Sequence, residues 1–252
     1  MIDIKISNLN KSFLKSNSAN KFEKNILQIL KNFNLDIKHN EVLSIIGPSG
    51  TGKTTLLNIL SGFDPHFTGN IEINREISGK KISFIFQPHN LLPWLTAHEN
   101  VKLVSSQESL QQNRAYKILS ELGLKDFINS YPNNLSGGMR RRVSIARAFV
   151  NNPSILLMDE PFVSLEKPLA NQLRDLTISL IRKHKVTTLL VTHDLREAIM
   201  LSDRIIFCTE SPMNIVLDKK IEISKSAKYE SDEVENMYKE IMNLYPDILS
   251  AK

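Results

Sequence analysis

Cysteine is almost missing from this chain of 252 residues, where Cys208 stands alone. A single cysteine excludes an internal disulfide framework and any metal cluster built from cysteines. Its setting, Ile205-Ile206-Phe207-Cys208, reads as a small buried core residue. Long hydrophobic runs are missing too. No stretch approaches the ~20 apolar residues that a membrane-spanning helix needs, so contact with a membrane is expected only through a partner. The start, Met1-Ile2-Asp3-Ile4-Lys5, has neither an apolar h-region nor a cleavage site, and no secretory signal is expected. No motif recurs at a period of roughly 20–50 residues, which excludes a solenoid or a propeller.

What is present is ordinary globular material. Hydrophobic residues make up 41% and charged residues 23%, enough for a substantial core and against global disorder. The length suits one large domain or a domain with a smaller one inserted. The formal charge of +5 is compatible with nucleic acid, anionic lipid or a nucleotide. Acidic and basic residues are scattered along the whole chain, so a solvated basic surface is the plain alternative.

Hydrophobic spacing organises the chain. Ile2, Ile4 and Ile6 alternate with polar residues as in a half-exposed strand, and residues 16–25, rich in Ser, Asn and Lys, read as a loop. Residues 42–46 form an apolar run ending at Gly47-Pro48, a buried strand feeding a turn. A helix follows over 54–60, with Gly62 as its stop. Residues 109–122 read as one helix stopped by Gly123, and a second helix is predicted from Ser136 toward Val150. Buried strands return at 155–158, 188–192 and 205–207, separated by helical stretches, which argues for a mostly parallel sheet with helices on its faces. Near the end, Asp232 and Glu235 suggest a capping box for a helix with Val234, Met237, Tyr238 and Ile241 on one stripe.

Three clusters carry the chemistry. Gly47-Pro48-Ser49-Gly50-Thr51-Gly52-Lys53-Thr54 fits G-x-x-x-x-G-K-[ST], and Thr55 follows it. Glycines let the backbone wrap a phosphate, while successive N–H groups and a helix N-terminus attract its charge. Lys53 is placed for the β- and γ-phosphates and the Thr54 hydroxyl for Mg²⁺. The second cluster, Ile155-Leu156-Leu157-Met158-Asp159-Glu160, is a buried strand delivering two carboxylates at its C-terminal end. Ligands of open α/β sheets bind at that edge. Asp159 suits Mg²⁺, and Glu160 suits the orientation or deprotonation of a water. In the third, Leu135-Ser136-Gly137-Gly138-Met139 precedes Arg140-Arg141-Arg142 on a helix. Ser136 is a good N-cap, and the two glycines leave backbone N–H groups bare, a second anion-binding end with no reactive group of its own. The plain alternative for the arginine run is a solvated helix face or a nucleic-acid patch.

This third cluster resembles the signature motif of ABC ATPases, and residues 2–220 carry that family's motifs in order. The resemblance implies an α/β fold, a P-loop NTPase (RecA-like) core with an antiparallel β edge and an inserted helical subdomain. Residues 1–89 and 153–220 would form the nucleotide-binding core, 90–152 the helical subdomain and 221–252 a C-terminal extension. It also implies that residues 136–138 of one chain close over the γ-phosphate held by another. Gln87, in Ile85-Phe86-Gln87-Pro88, matches the glutamine that touches the metal and joins the nucleotide site to the membrane partner. His193, in Val191-Thr192-His193-Asp194, matches the switch histidine at the γ-phosphate, and Asp194 with Glu197 is expected to cap the next helix. Phe13 falls where the family stacks an aromatic on adenine.

Two positions depart from the pattern. Met139 replaces a common glutamine, and Phe162-Val163-Ser164-Leu165-Glu166 ends in Glu where the family usually has Asp. The stretch from Gln87 to Val101 is similar to the nitrate, sulfonate and taurine importer ATPases. Leu91, Leu92, Trp94 and Leu95 crowd a loop bracketed by Pro88 and Pro93, an apolar cluster that suits a partner surface; burial inside the helical insertion is the alternative for Trp94.

Taken together, the resemblance implies an ATP-hydrolysing importer subunit that binds ATP and Mg²⁺. Its partners would be a second copy of itself, integral membrane permease subunits and, indirectly, a solute-binding protein, with no nucleic acid. Its place would be the cytoplasmic face of the inner membrane, as a peripheral protein. A soluble ABC ATPase uncoupled from transport is the rival. DNA-repair versions carry long coiled coils and ribosome-acting ones two cassettes, whereas this chain has one phosphate loop and one signature. A P-loop kinase would have no use for Leu-Ser-Gly-Gly.

Overall fold

The computed structural model describes residues 1–14, 26–74, 82–224 and 227–246; the predicted loop at 16–25 lies outside them. The chain divides into two compact units, Met1–Ser78 with Leu189–Lys252, and Gly79–Thr188.

The first unit opens with β1 (Ile2–Leu14), β2 (Ile26–Lys38), β3 (Val42–Ile46), α1 (Lys53–Leu60) and β4 (Thr68–Ile73). Strands β1, β2 and β4 make an antiparallel sheet in the order β2-β1-β4. β1 runs well past the Ile2, Ile4, Ile6 alternation. Ile4 and Ile6 are buried, but beyond them the inward residues become Leu9 and Lys11. An irregularity between Ile6 and Leu9, with Asn8 at φ 50°, inserts one residue and shifts the buried face by one position. A further shift between Ile2 and Ile4 leaves Ile2 exposed, so alternation alone assigns it to the wrong face.

The second unit contains β5 (Ile82–Ile85), α2 (Ala97–Lys102), α3 (Gln107–Gln111), α4 (Arg114–Glu121), α5 (Gly137–Phe149), β6 (Ile155–Asp159) and α6 (Lys167–His184). β5 and β6 pair in parallel, Ile82 opposite Ile155. The single helix predicted over 109–122 is two. Asn113 adopts φ 50° between α3 and α4. Gln111, Gln112 and Asn113 present no apolar side chain to hold a turn against the core, and asparagine tolerates the left-handed region better than most residues. Helix α5 begins as the sequence predicts: the Ser136 hydroxyl accepts from the Met139 N–H at 3.2 Å.

The chain crosses between units inside β7 (Thr187–Val191). Thr187 N–H donates to Ser154 in the second unit, and beyond the strand Thr192 N–H donates to Ile45 in the first. Then follow α7 (Leu195–Leu201), β8 (Arg204–Cys208), β9 (Ile215–Lys220) and α8 (Asp232–Leu244). β3 pairs with β8 in parallel, and β9 closes that edge antiparallel. All five residues of β3 are buried, which is why it reads as an unbroken apolar run; Ser44 is accommodated by a hydrogen bond to the Ser202 hydroxyl. The cap of α8 is Ser231, accepting from Val234 N–H at 3.4 Å, and not Asp232. With Ser231 in extended backbone, Asp232 becomes the first helical residue, and Asp232, Glu233 and Glu235 place negative charge at the positive end of the helix.

Candidate nucleotide site

β3 leads directly into the glycine-rich loop. Gly50 and Gly52 have φ of +81° and +110°, a region that costs an L-residue ~1–2 kcal/mol. Close packing adds a second constraint: a Cβ on Gly52 would lie 2.3 Å from Ile29 Cγ2, and one on Gly47 2.8 Å from the Cys208 carbonyl oxygen. Buried Lys53 folds back and donates to the carbonyls of Gly47 and Pro48, both at 2.6 Å. The Thr51 hydroxyl also donates to Pro48, and Ser211 donates to Gly50 at 2.9 Å. Side chains of the same unit thus engage the carbonyls of Gly47, Pro48 and Gly50. Burial pushes the Cys208 thiol up to about 12, so it is an inert wall of this loop.

Helix α1 starts at the loop with Gly52 as its N-cap, no capping side chain and no acid in the first turn. α4 and α6 likewise begin without a side-chain capping bond or a first-turn acid, whereas Thr96, Ser106, Ser136, Asp194 and Ser231 cap α2, α3, α5, α7 and α8. A helix start without its own counter-charge, behind a glycine loop, fits a phosphate. Thr54 on α1 is exposed and Thr55 half-buried.

At the end of β6, buried Ile155 to Met158 give way to half-buried Asp159 and Glu160. Glu160 has φ 41°, a conformation that costs a non-glycine residue on the order of 1–2 kcal/mol. The turn behind it closes through Val163 N–H to Glu160 O at 3.4 Å. Such strain persists where the surroundings over-determine it, and functional carboxylates are among the places it collects. No set of three His, Cys, Asp or Glu gathers among the described residues. Mg²⁺ held by one carboxylate, a hydroxyl and substrate phosphates needs no such set.

The two glycines of the signature segment have different reasons to be there. A Cβ on Gly138 would lie 2.5 Å from Leu169 Cδ1, so that glycine serves packing. A Cβ on Gly137 would meet nothing within 4 Å. Among the described residues, no close contact requires a glycine at 137. Ser136 beside it is exposed.

Gln87 is exposed, and the backbone around it is gripped from α5. Arg141 donates to Phe86 O at 2.7 Å and Gln87 O at 2.6 Å; Arg147 donates to Asn90 O at 2.6 Å and His89 O at 2.9 Å. Arg141 is 1% exposed, so at this position the arginine run is neither a solvated face nor a nucleic-acid patch. Burial brings Arg141 down to about 10, still charged at neutral pH. Burial, then Arg141 and Arg140, lower His89 to about 4 and keep it neutral there.

His193 follows β7 and is exposed. Asp194 caps α7 as predicted, accepting from Glu197 N–H at 3.1 Å, while its own N–H donates to Thr192 Oγ1 at 3.1 Å. Phe13, 43% exposed, lies near the end of β1 with Lys11 Nζ 4.8 Å from its ring centre. Glu166 stands at the N-cap of α6 but makes no capping bond through its side chain.

The first unit therefore carries Phe13, the loop 47–55 and His193; the second carries Gln87, residues 136–138, Asp159 and Glu160. Sequence patterns miss the roles of Ser211, Arg141 and Arg147 in fixing these loops. Ser211 lies far along the chain from Gly50, and the charge of the two arginines points outward by composition rather than inward.

Among the described residues, no helix is long and apolar enough to cross a membrane. The family model described as ABC transporter matches residues 30–163. An uncharacterized ABC transporter ATP-binding protein of Methanocaldococcus jannaschii is 36% identical over 98% of this chain and 92% of its own length. An aliphatic sulfonates import ATP-binding protein of Bacillus cereus is 38% identical over 81% of this chain and 84% of its own length. One from Bacillus licheniformis is 41% identical over 74% and 75%. A dimeric ATP-binding cassette solved in a post-hydrolysis state with ADP and Pi superposes with a TM-score of 0.71 at 34% identity, covering 88% of this chain and all of that one. With its phosphate loop, paired carboxylates and signature helix on this P-loop NTPase fold, the chain belongs to the ATP-hydrolysing, ATP-binding family of ABC transporters.

Proposed function

We propose that this chain drives an importer of small anions of the sulfonate kind, working as an ATP-bridged pair against permease subunits on the cytoplasmic face of the inner membrane. The observation that carries the proposal is Trp94, 69% exposed on a loop held rigid from within. Fully buried Asn100 accepts from Leu92 N–H at 2.8 Å and donates to the carbonyls of Leu92, Leu95 and Thr96 at 3.1, 2.9 and 3.0 Å. A reciprocal Thr96–Glu99 capping box fixes the exit of that loop. An indole presented on a preorganised loop has the form of an interface anchor, because little ordering remains to be done on binding. The Bacillus relatives are aliphatic sulfonates import ATP-binding proteins, which supports the class of solute.

In this reading Lys53, Thr55 and the N–H groups of residues 47–54 bind the β- and γ-phosphates, and Phe13 stacks on adenine. Thr54, Asp159 and Gln87 hold Mg²⁺, which supplies positive charge to the phosphate oxygens. Glu160 orients a water and takes its proton, and His193 contacts the γ-phosphate. Residues 136–138 of a second copy close over that phosphate, and Gly137 leaves the space for it. Residues 90–152 act as a helical subdomain on a core of 1–89 and 153–220. Movement reaches the permease through the Gln87 segment that Arg141 and Arg147 grip, while a solute-binding protein delivers the cargo.

Trp94→Ala tests the docking surface. Its indole contributes little to the isolated fold, so stability should stay within about 0.5 kcal/mol of wild type and ATPase activity should be intact. Recovery with the permease subunits should fall at least ~10-fold, the scale of a lost aromatic anchor. Normal assembly and transport would place the interface elsewhere. In a strain lacking the chain, loss of alkanesulfonate uptake with nitrate uptake preserved supports the solute class, and the reverse result replaces it.

A further inference from the structure

Helix α8 is docked on α7, the helix that follows His193. Val234 and Ile241 are fully buried. Arg196 on α7 donates from Nε to Glu235 Oε2 at 3.0 Å and lies 3.7 Å from the centre of the Tyr238 ring. That ion pair is part-exposed and adds little stability by itself. The more specific contact lies just upstream of α8, where the Tyr229 hydroxyl donates to Asp194 Oδ2 at 2.6 Å. Asp194 immediately follows His193. Its other carboxylate oxygen caps α7, its N–H donates to Thr192 and its carbonyl accepts from Ala198 N–H at 3.0 Å. Those contacts come from the β7–α7 connection and α7 itself. The Tyr229 contact comes from the C-terminal segment, 35 residues further along the chain.

We propose that Tyr229 is a positioning residue for the switch histidine, its hydroxyl acting as a strut between the C-terminal segment and the loop that carries His193. The proposal rests on His193 acting at the γ-phosphate. A hydroxyl donated to a carboxylate is a short, charge-assisted bond, and it constrains direction as well as distance. A catalytic side chain on a loop keeps its productive geometry only when a supporting shell holds that loop. Without the hydroxyl, Asp194 keeps its cap on α7 but loses this bond to the C-terminal segment. His193 then samples more positions.

The test uses the full chain, with rates read well below each variant's melting transition so that folding defects do not enter. Tyr229→Phe should lower kcat about fivefold with KM for ATP within about twofold, the pattern of an interaction felt in the transition state. In a His193→Ala background the same change should add nothing, because both act through one group. Glu235→Gln, which weakens the docking of α8 without touching Asp194, should leave kcat near wild type. A Tyr229→Phe chain with wild-type kcat, or a loss that adds in full to His193→Ala, would overturn the strut. So would an equal loss in Glu235→Gln, which would assign the effect to docking of the helix as a whole. A fully active His193→Ala chain would instead overturn the role of His193 in hydrolysis.

Discussion

Glu160→Gln should lower steady-state ATP turnover by at least ~10²-fold while leaving nucleotide binding in place. Glutamine keeps the length and shape of the side chain and removes its basicity. The Val163 N–H to Glu160 O bond that closes the turn uses main-chain atoms, so the substitution leaves it unchanged. The left-handed conformation at 160 is demanded equally of both residues, and folding stability should hardly move. The expected result is a folded chain that retains ATP and fails to split it, measured by ATPase rate alongside nucleotide retention. Near-normal turnover would remove Glu160 from the chemistry.

Lys53→Ala should have two separable effects. In the chain without nucleotide, it removes the donor to the Gly47 and Pro48 carbonyls and should cost about 2 kcal/mol, since bonds made by charged groups are worth more than neutral ones. With nucleotide, the contact to the β- and γ-phosphates is gone. A ligand that binds only the folded state raises stability by about 2.7 kcal/mol at a hundred times its Kd. Wild type should therefore melt higher as ATP is added, and Lys53→Ala should show a lower melting point that ATP no longer lifts. A variant that keeps the full ATP-dependent rise would show that Lys53 supports the loop and not the ligand.

The motifs were legible because each is short, contiguous and tied to a local physical demand. Buried strands at 42–46 and 155–158 read as apolar runs, Ser136 and Asp194 read as caps, and the positive φ of Gly50 and Gly52 is what glycine permits. What failed to show is non-periodic or distant. Asn113 breaks a helix by entering the left-handed region, an event that apolar spacing does not register. The irregularity at Asn8 moves the buried face of β1 by one residue, so strict alternation stops at Ile6 while the strand continues to Leu14. Ser231 displaces Asp232 as a cap by a single position, a distinction that depends on where the chain turns from extended to helical. Arg141 was the least legible of all. Its charge predicts solvent, yet its two terminal nitrogens donate to the carbonyls of Phe86 and Gln87 inside the second unit. Ser211 to Gly50 and Tyr229 to Asp194 are contacts that only the folded chain brings together.

The central claim is that ATP is held between two chains, bound by the loop of one and closed over by residues 136–138 of the other. The most direct measurement is the mass in solution of the Glu160→Gln chain with ATP and Mg²⁺, compared with the same chain carrying Gly137→Asp. No described residue lies within 4 Å of a Cβ at 137, so the aspartate should fold without a clash and should bind ATP, yet it would set a side chain and a negative charge against the γ-phosphate of a partner. The expected result is a doubling of mass with ATP for Glu160→Gln, reversed by dilution into ADP, and a single-chain mass for the double variant. A Glu160→Gln chain that binds ATP tightly and remains a single chain, or a doubling that survives Gly137→Asp, would contradict the shared site.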